Sequence, residues 1–144
     1  MNRRRTLALA LASVGAFALA ACSTPSESGD LVAFSIEGDW TLVSGEGPNG
    51  AVEPVDGSPI TLAVDGQGAV SGKGGCNNYH GEATVEGDKV SFGPLGMTMM
   101  MCEEAVMTAE YAYSTAMEDV AEGSITDDQL ILKGEGVELR FDPA

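Results

Sequence analysis

Short alternating runs of apolar residues, each cut off by a turn rich in glycine or aspartate, set the strongest limit on what this chain can fold into. Ile60 to Val64 and Ala69 to Ser71 flank Asp65-Gly66-Gln67-Gly68, and Glu82 to Val85 and Lys89 to Phe92 flank Glu86-Gly87-Asp88. Ser124 to Thr126 and Leu130 to Lys133 flank Asp127-Asp128-Gln129, and a last run, Val137 to Phe141, follows Glu135-Gly136. Glycine and aspartate supply the positive φ and the local hydrogen bonds that tight hairpins demand. Ahead of these runs, Ile36 to Val43 places Trp40 and Leu42 on one face and Thr41 and Val43 on the other, while Pro48 to Pro59 reads as a polar loop. The 19 glycines among 144 residues, about twice the usual share, fit the same turn-rich meander.

One segment breaks the rhythm. Between Glu103 and Glu122, residues Val106, Ala109, Tyr113, Ala116, Met117 and Val120 recur at spacings of three and four, which is an apolar stripe at the helical period. Glu103 and Glu104 fall in its first turn, where carboxylates favour the positive end of the helix dipole, and Gly123 is placed as a left-handed stop. The expected fold class is α+β: a small, mostly antiparallel β-meander sheet with barrel-like curvature and one packed helix over residues 103–122. Glu110 lies near the edge of the stripe, where most glutamates are a solvated rim; a hydrogen bond toward the cysteine loop is the less common outcome.

The first residues, Met1-Asn2-Arg3-Arg4-Arg5, precede an apolar run from Leu7 to Ala21 that ends in Leu19-Ala20-Ala21-Cys22. A basic start, a short apolar stretch and small residues form an export leader, too short and wrongly flanked for a stable membrane span. The Leu-Ala-Ala-Cys ending looks like a bacterial lipobox, in which Cys22 becomes the first mature residue and carries acyl chains such as palmitate; two chains hold a protein on a bilayer where one is marginal. The expected organisation is a leader over residues 1–21, a flexible tether over 22–35 with lipidated Cys22, and a folded domain over 36–144. That places the domain on the extracytoplasmic face of the cell membrane or in the periplasm. Without residues 1–21 the chain has four basic residues, Lys73, Lys89, Lys133 and Arg140, against 22 acidic ones, a net charge of −18. Such a surface repels nucleic acid and anionic headgroups and attracts basic proteins or divalent cations such as Ca²⁺.

The densest chemistry sits in Gly72 to Gly81, GKGGCNNYHG, together with Met97 to Cys102, MTMMMC. Cys76 and Cys102 are the two cysteines of the folded part, and in an exported chain they have one intramolecular pairing. A disulfide there stabilises the fold by about 3.5 kcal/mol in the chain-entropy model. Two other readings stand beside it. Cys76 as a nucleophile with His80 as base needs a free thiolate, which an oxidising compartment disfavours. Met97, Met99, Met100 and Met101 with His80 form a donor set for Cu(I), against which methionine is an ordinary filler of irregular cores. Gly72, Gly74, Gly75 and Gly81 lack the Gly-Lys-Ser/Thr ending of a nucleotide loop and read as a tight bend, with Asn77 and Asn78 suited to capping it.

Taken in order, Trp40 and Leu42, Gly75-Cys76-Asn77 with Tyr79 and Gly81, Thr98 and Cys102, Glu110, Leu130 and Leu132, and Leu139 and Phe141 resemble the signature of the META-domain family, which includes HslJ-like lipoproteins. The resemblance covers Ile36 to Phe141; Met99 departs from it, standing where the family often has a basic residue. It implies a small α+β domain with no established catalytic residue and no cofactor, on an envelope lipoprotein linked in some relatives to heat shock, novobiocin tolerance or virulence. The expectation is a non-catalytic envelope lipoprotein that serves envelope integrity or stress response by binding a partner, with a basic envelope protein favoured by charge. The alternative is a hydrolase-inhibitor or Cu- or Ca-binding module.

Overall fold

The alternating runs become strands that close on themselves. The computed structural model describes residues 34–144; the leader, Cys22 and the tether as far as residue 33 lie outside the described residues. In chain order the elements are β1 (Gly38–Gly47), β2 (Gly50–Val52), β3 (Ile60–Val64), β4 (Ala69–Gly74), β5 (Asn78–Glu86), β6 (Lys89–Phe92), β7 (Gly96–Met97), α1 (Glu104–Glu118), β8 (Val120–Thr126), β9 (Gln129–Gly134) and β10 (Val137–Pro143). Strands β1, β3, β4, β5, β6, β8, β9 and β10 are hydrogen-bonded in that cyclic order, and β10 returns to β1 through Trp40↔Pro143 and Leu42↔Phe141. The curved sheet read from the sequence is thus a closed antiparallel barrel of eight strands. Closure removes the unpaired edges that an open sheet leaves exposed.

Alternation fills the barrel. Ile60, Leu62 and Val64 of β3 and Val137, Leu139 and Phe141 of β10 are buried while their neighbours are not, so one face of each strand forms the core. Leu42, Val70, Val90, Leu130 and Leu132 complete it. At one end Ile36 is buried and its carbonyl accepts a 2.9 Å hydrogen bond from Trp40 Nε1. Phe34 packs against the same core, so packing starts two residues before the boundary read from the sequence.

Helix α1 lies across the opposite end, where β1 and β4 finish. Gly47 abuts Ala116 and Gly74 abuts Glu110. The helix buries Val106, Ala109, Glu110, Ala112, Tyr113, Ala116 and Met117, and the Tyr113 ring meets Phe141 edge-on at 6.4 Å. It is shorter than expected, ending at Glu118 with Asp119 as its C-cap, whose N–H donates to the Ala116 carbonyl. Val120 then pairs with Gly134 in β8, and Gly123 lies within that strand against Phe34 and Val90 rather than at a helix stop. The spacing misled because Val120 is apolar for a strand's reason and falls at a helical interval by coincidence. The expected Pro48 to Pro59 loop also contains β2, paired to β1, and an isolated bridge between Val55 and Ser58.

Phe141 belongs to the closing strand and touches the helix, so Phe141→Ala tests the barrel and its cap together. The expected loss is about 3–5 kcal/mol, seen as a lower urea midpoint with an unchanged slope.

Candidate functional site

The site forms where the chain leaves β4. Gly75 has φ +109°, a left-handed conformation that turns the next two N–H groups toward α1. There the Glu110 carboxylate accepts from Cys76 N at 3.1 Å, from Asn77 N, and from Asn77 Nδ2 at 2.7 Å. Gly74 permits the approach, since a Cβ on it would come within 2.9 Å of the Glu110 side chain. Glu110 is 5% exposed and Asn77 3%. The glutamate is therefore not the solvated rim expected from its place on the stripe; the rarer reading holds, because three donors replace the water it loses.

Asn77 spends its other bonds on a second segment. Its Oδ1 accepts from Met100 N at 2.6 Å and from Thr98 Oγ1 at 2.9 Å, while Nδ2 also donates to the Met100 carbonyl at 3.3 Å. Both amide protons and both lone pairs are used, which fixes the amide's orientation and excludes an aspartate, which has no amide protons to give. The expected local cap is thus a bridge across space. Thr98 Oγ1 accepts from Asn78 N at 3.1 Å, and Thr98 N donates to the Asn78 carbonyl at 3.0 Å. Cys76 is joined to Cys102 as a disulfide with Cα atoms 5.9 Å apart, so its sulfur is not a free nucleophile for His80.

Two residues after Asn77 on the chain, Tyr79 fastens the same region to the core. Its hydroxyl donates to the Thr61 carbonyl at 2.6 Å, leaving Tyr113 as the donor in the 2.7 Å bond between the two phenols. Burial pushes both phenols well above their ordinary range; the bond from Tyr113 offsets part of the rise at Tyr79, and the neighbouring Tyr79 adds to it at Tyr113.

The structure brings together Gly75, Cys76, Asn77, Tyr79, Cys102 and Glu110. Gly81 stands apart beside Leu95, and His80 is an exposed β5 residue whose ring covers Gly96. The methionines contradict the core-packing expectation. Met99 is 97% exposed, Met100 50% and Met101 88%, whereas Met97 in β7 is half-buried against the core. The reason is that residues 98–103 form no strand and are fixed by their main chain to Asn77, which leaves the side chains facing out. Sequence reasoning missed Thr61 and the phenol pair; Tyr113 shows only as one more residue of the helical stripe, and nothing local marks the Thr61 carbonyl. Among the described residues, no buried side-chain polar atom lacks a partner and no cluster of three histidine, cysteine or acidic residues is placed to hold a metal.

Surface charge is poorly balanced. Lys89 pairs with Glu122, and Lys133 and Arg140 both pair with Glu138, whose carboxyl is held below its ordinary value first by Arg140 and then by Lys133. Beside the site a groove of about 620 Å³ between β2 and α1 is lined by Ala51, Val55, Ala105 and Ala109, with Glu53 and Glu104 among its walls.

Glu110→Ala leaves three N–H groups without an acceptor, each worth about 1–3 kcal/mol. We expect a loss of about 3–5 kcal/mol in denaturant unfolding, with Glu110→Gln recovering only part, since its amide sets a donor against donors. The phenols predict an alkaline limit. Their folded pKa values are raised, so their contribution is full below the unfolded value of about 10 and falls above it, by about 1.4 kcal/mol per pH unit for each phenol. Melting temperatures from pH 9 to 12 should drop, and less steeply in Tyr79→Phe.

A family model described as the META domain matches residues 32–144. No curated protein matches significantly. Among solved structures, the chain is similar to a protein from Burkholderia xenovorans, at 31% identity and TM-score 0.65 over 75% of this chain and 82% of that one. It is also similar to a second protein at 24% identity and TM-score 0.56, over 74% and 88% of the two chains. A DUF4847 family protein from Bacteroides vulgatus shares the fold at 15% identity and TM-score 0.50, over 75% and 93%.

Proposed function

This chain belongs to the META-domain family, and from that premise we propose that it is a lipid-anchored envelope protein that acts by binding a partner rather than by catalysis. The observation that carries the reading is the closed bonding of the cluster: Glu110 spends both carboxylate oxygens on Cys76 and Asn77, Asn77 spends the rest of its amide on Thr98 and Met100, and the disulfide holds Cys102. Such a site has no spare base or nucleophile; it presents a surface. The leader and Cys22 supply the anchor, and the role is envelope integrity or stress response.

The partner is a basic envelope protein. Only Lys73, among the basic residues of the described part, is without an ion pair, while Glu53 and Glu104 face the groove next to the presented loop. Phe34 and residues 98–102 sit at opposite ends of β5, since Phe34 shares a surface hollow with Ala83 and Val85 whereas Thr98 is bonded to Asn78. The run from Asn78 to Val85 separates them by roughly 20 Å. A partner can therefore reach the methionine end without meeting the entry of the tether. The same bracing favours a second reading, an inhibitor loop that enters the cleft of a hydrolase with apolar specificity. Peptidase inhibition lost in Met99→Asp separates the two.

The anchor is tested by expressing the full chain in a host that processes lipoproteins. The membrane fraction should yield a mass that starts at an acylated Cys22 and lacks two protons for the disulfide, and Cys22→Ser should shift the protein to the soluble fraction. An unmodified Cys22 in membrane-free protein would sink the proposal.

A further inference from the structure

Three consecutive methionines facing water are unusual, because a thioether gains more from a core than from solvent. Met117 shows the ordinary outcome, with no exposure at all, while Met99 and Met101 are 97% and 88% exposed. Their loop does not rely on those side chains for its shape. Met100 N and its carbonyl are both bound to Asn77, Thr98 to Asn77 and Asn78, and Cys102 to Cys76. Oxidation of a methionine harms a protein when it forces a polar, chiral sulfoxide into an apolar core. Here the new oxygen would enter water and displace nothing.

We propose that the loop is a site of methionine oxidation, with Met99 and Met101 accepting oxygen from oxidants of the peroxide class. A sulfur lone pair attacks one oxygen of hydrogen peroxide. The S–O bond forms as the O–O bond breaks, the proton passes to the departing oxygen, and water leaves. Sulfur is oxidised by two electrons and the peroxide is reduced by two. Cys76 and Cys102 do not compete, since both sulfurs are held in the disulfide. The product keeps the fold and turns an apolar tip into one that accepts hydrogen bonds. The proposal stands whether or not the loop meets a partner.

The test is a time course with hydrogen peroxide on the full chain with its disulfide intact, followed by peptide mapping. Met99 and Met101 should each gain one oxygen at a rate close to that of free methionine, while Met117 stays unreacted for as long as the protein is folded. The melting temperature of the oxidised protein should equal that of the untreated one. The double variant Met99→Leu, Met101→Leu should lose the fast uptake and keep the melting temperature. Oxidation of Met99 and Met101 no faster than that of Met117, or a melting temperature that falls as the two are oxidised, would overturn the assignment.

Discussion

A carboxylate enclosed by protein is tolerable only where donors surround it, and Glu110 meets that condition with three N–H groups from two consecutive residues. The requirement propagates. Gly75 must take its left-handed turn for those N–H groups to point at the helix, and Gly74 must lack a side chain for the carboxylate to approach. The helix is then docked at two points. Asn77 and Tyr79, two apart along an extended chain, meet Glu110 and Tyr113, three apart on one helical face. Moving either element by one residue would break both contacts at once, so the pair sets the register of helix against barrel.

The disulfide and this network act on different states. Joining Cys76 to Cys102 chiefly limits the unfolded ensemble. It says little about where the intervening residues lie once folded. That is decided by the Asn77 amide, which gives residues 98–100 the hydrogen bonds that a neighbouring strand would otherwise supply. Irregular backbone is thereby satisfied without being buried, which is why the methionines beside it remain outside.

Much of the fold was legible because its causes are local. The turn residues Asp65, Gly87, Asp127, Asp128 and Gly136 mark hairpins that the structure contains, and the alternation in β3 and β10 marks which face is core. Closure was legible only as a curved sheet, since the pairing of Trp40 with Pro143 joins the two ends of the domain and leaves no short-range trace. Glu110 was misplaced for the same reason. Its donors lie 33 and 34 residues earlier, and the apolar stripe carries information only about the helix on which the residue sits. The run Met99-Met100-Met101 failed differently: hydropathy describes side chains, and this segment is positioned by its backbone.

What the interior settles also limits where recognition can occur. With the buried polar atoms of the described residues already matched, a second molecule gains little by rearranging them, since each bond made would require one broken. The groups open to new contacts are those that water now solvates. On the barrel wall these include Lys89, Lys133 and Arg140, whose charges are already shared with glutamates in exposed pairs of small worth. At the helix end they are thioethers, which lose nothing polar on desolvation, next to the unpaired carboxylates of Glu53 and Glu104. An apolar contact flanked by attraction for cations costs the least dehydration and discriminates by charge. That physical asymmetry between the two regions, more than any single residue, is what makes the loop better suited than the barrel wall to the binding role proposed above.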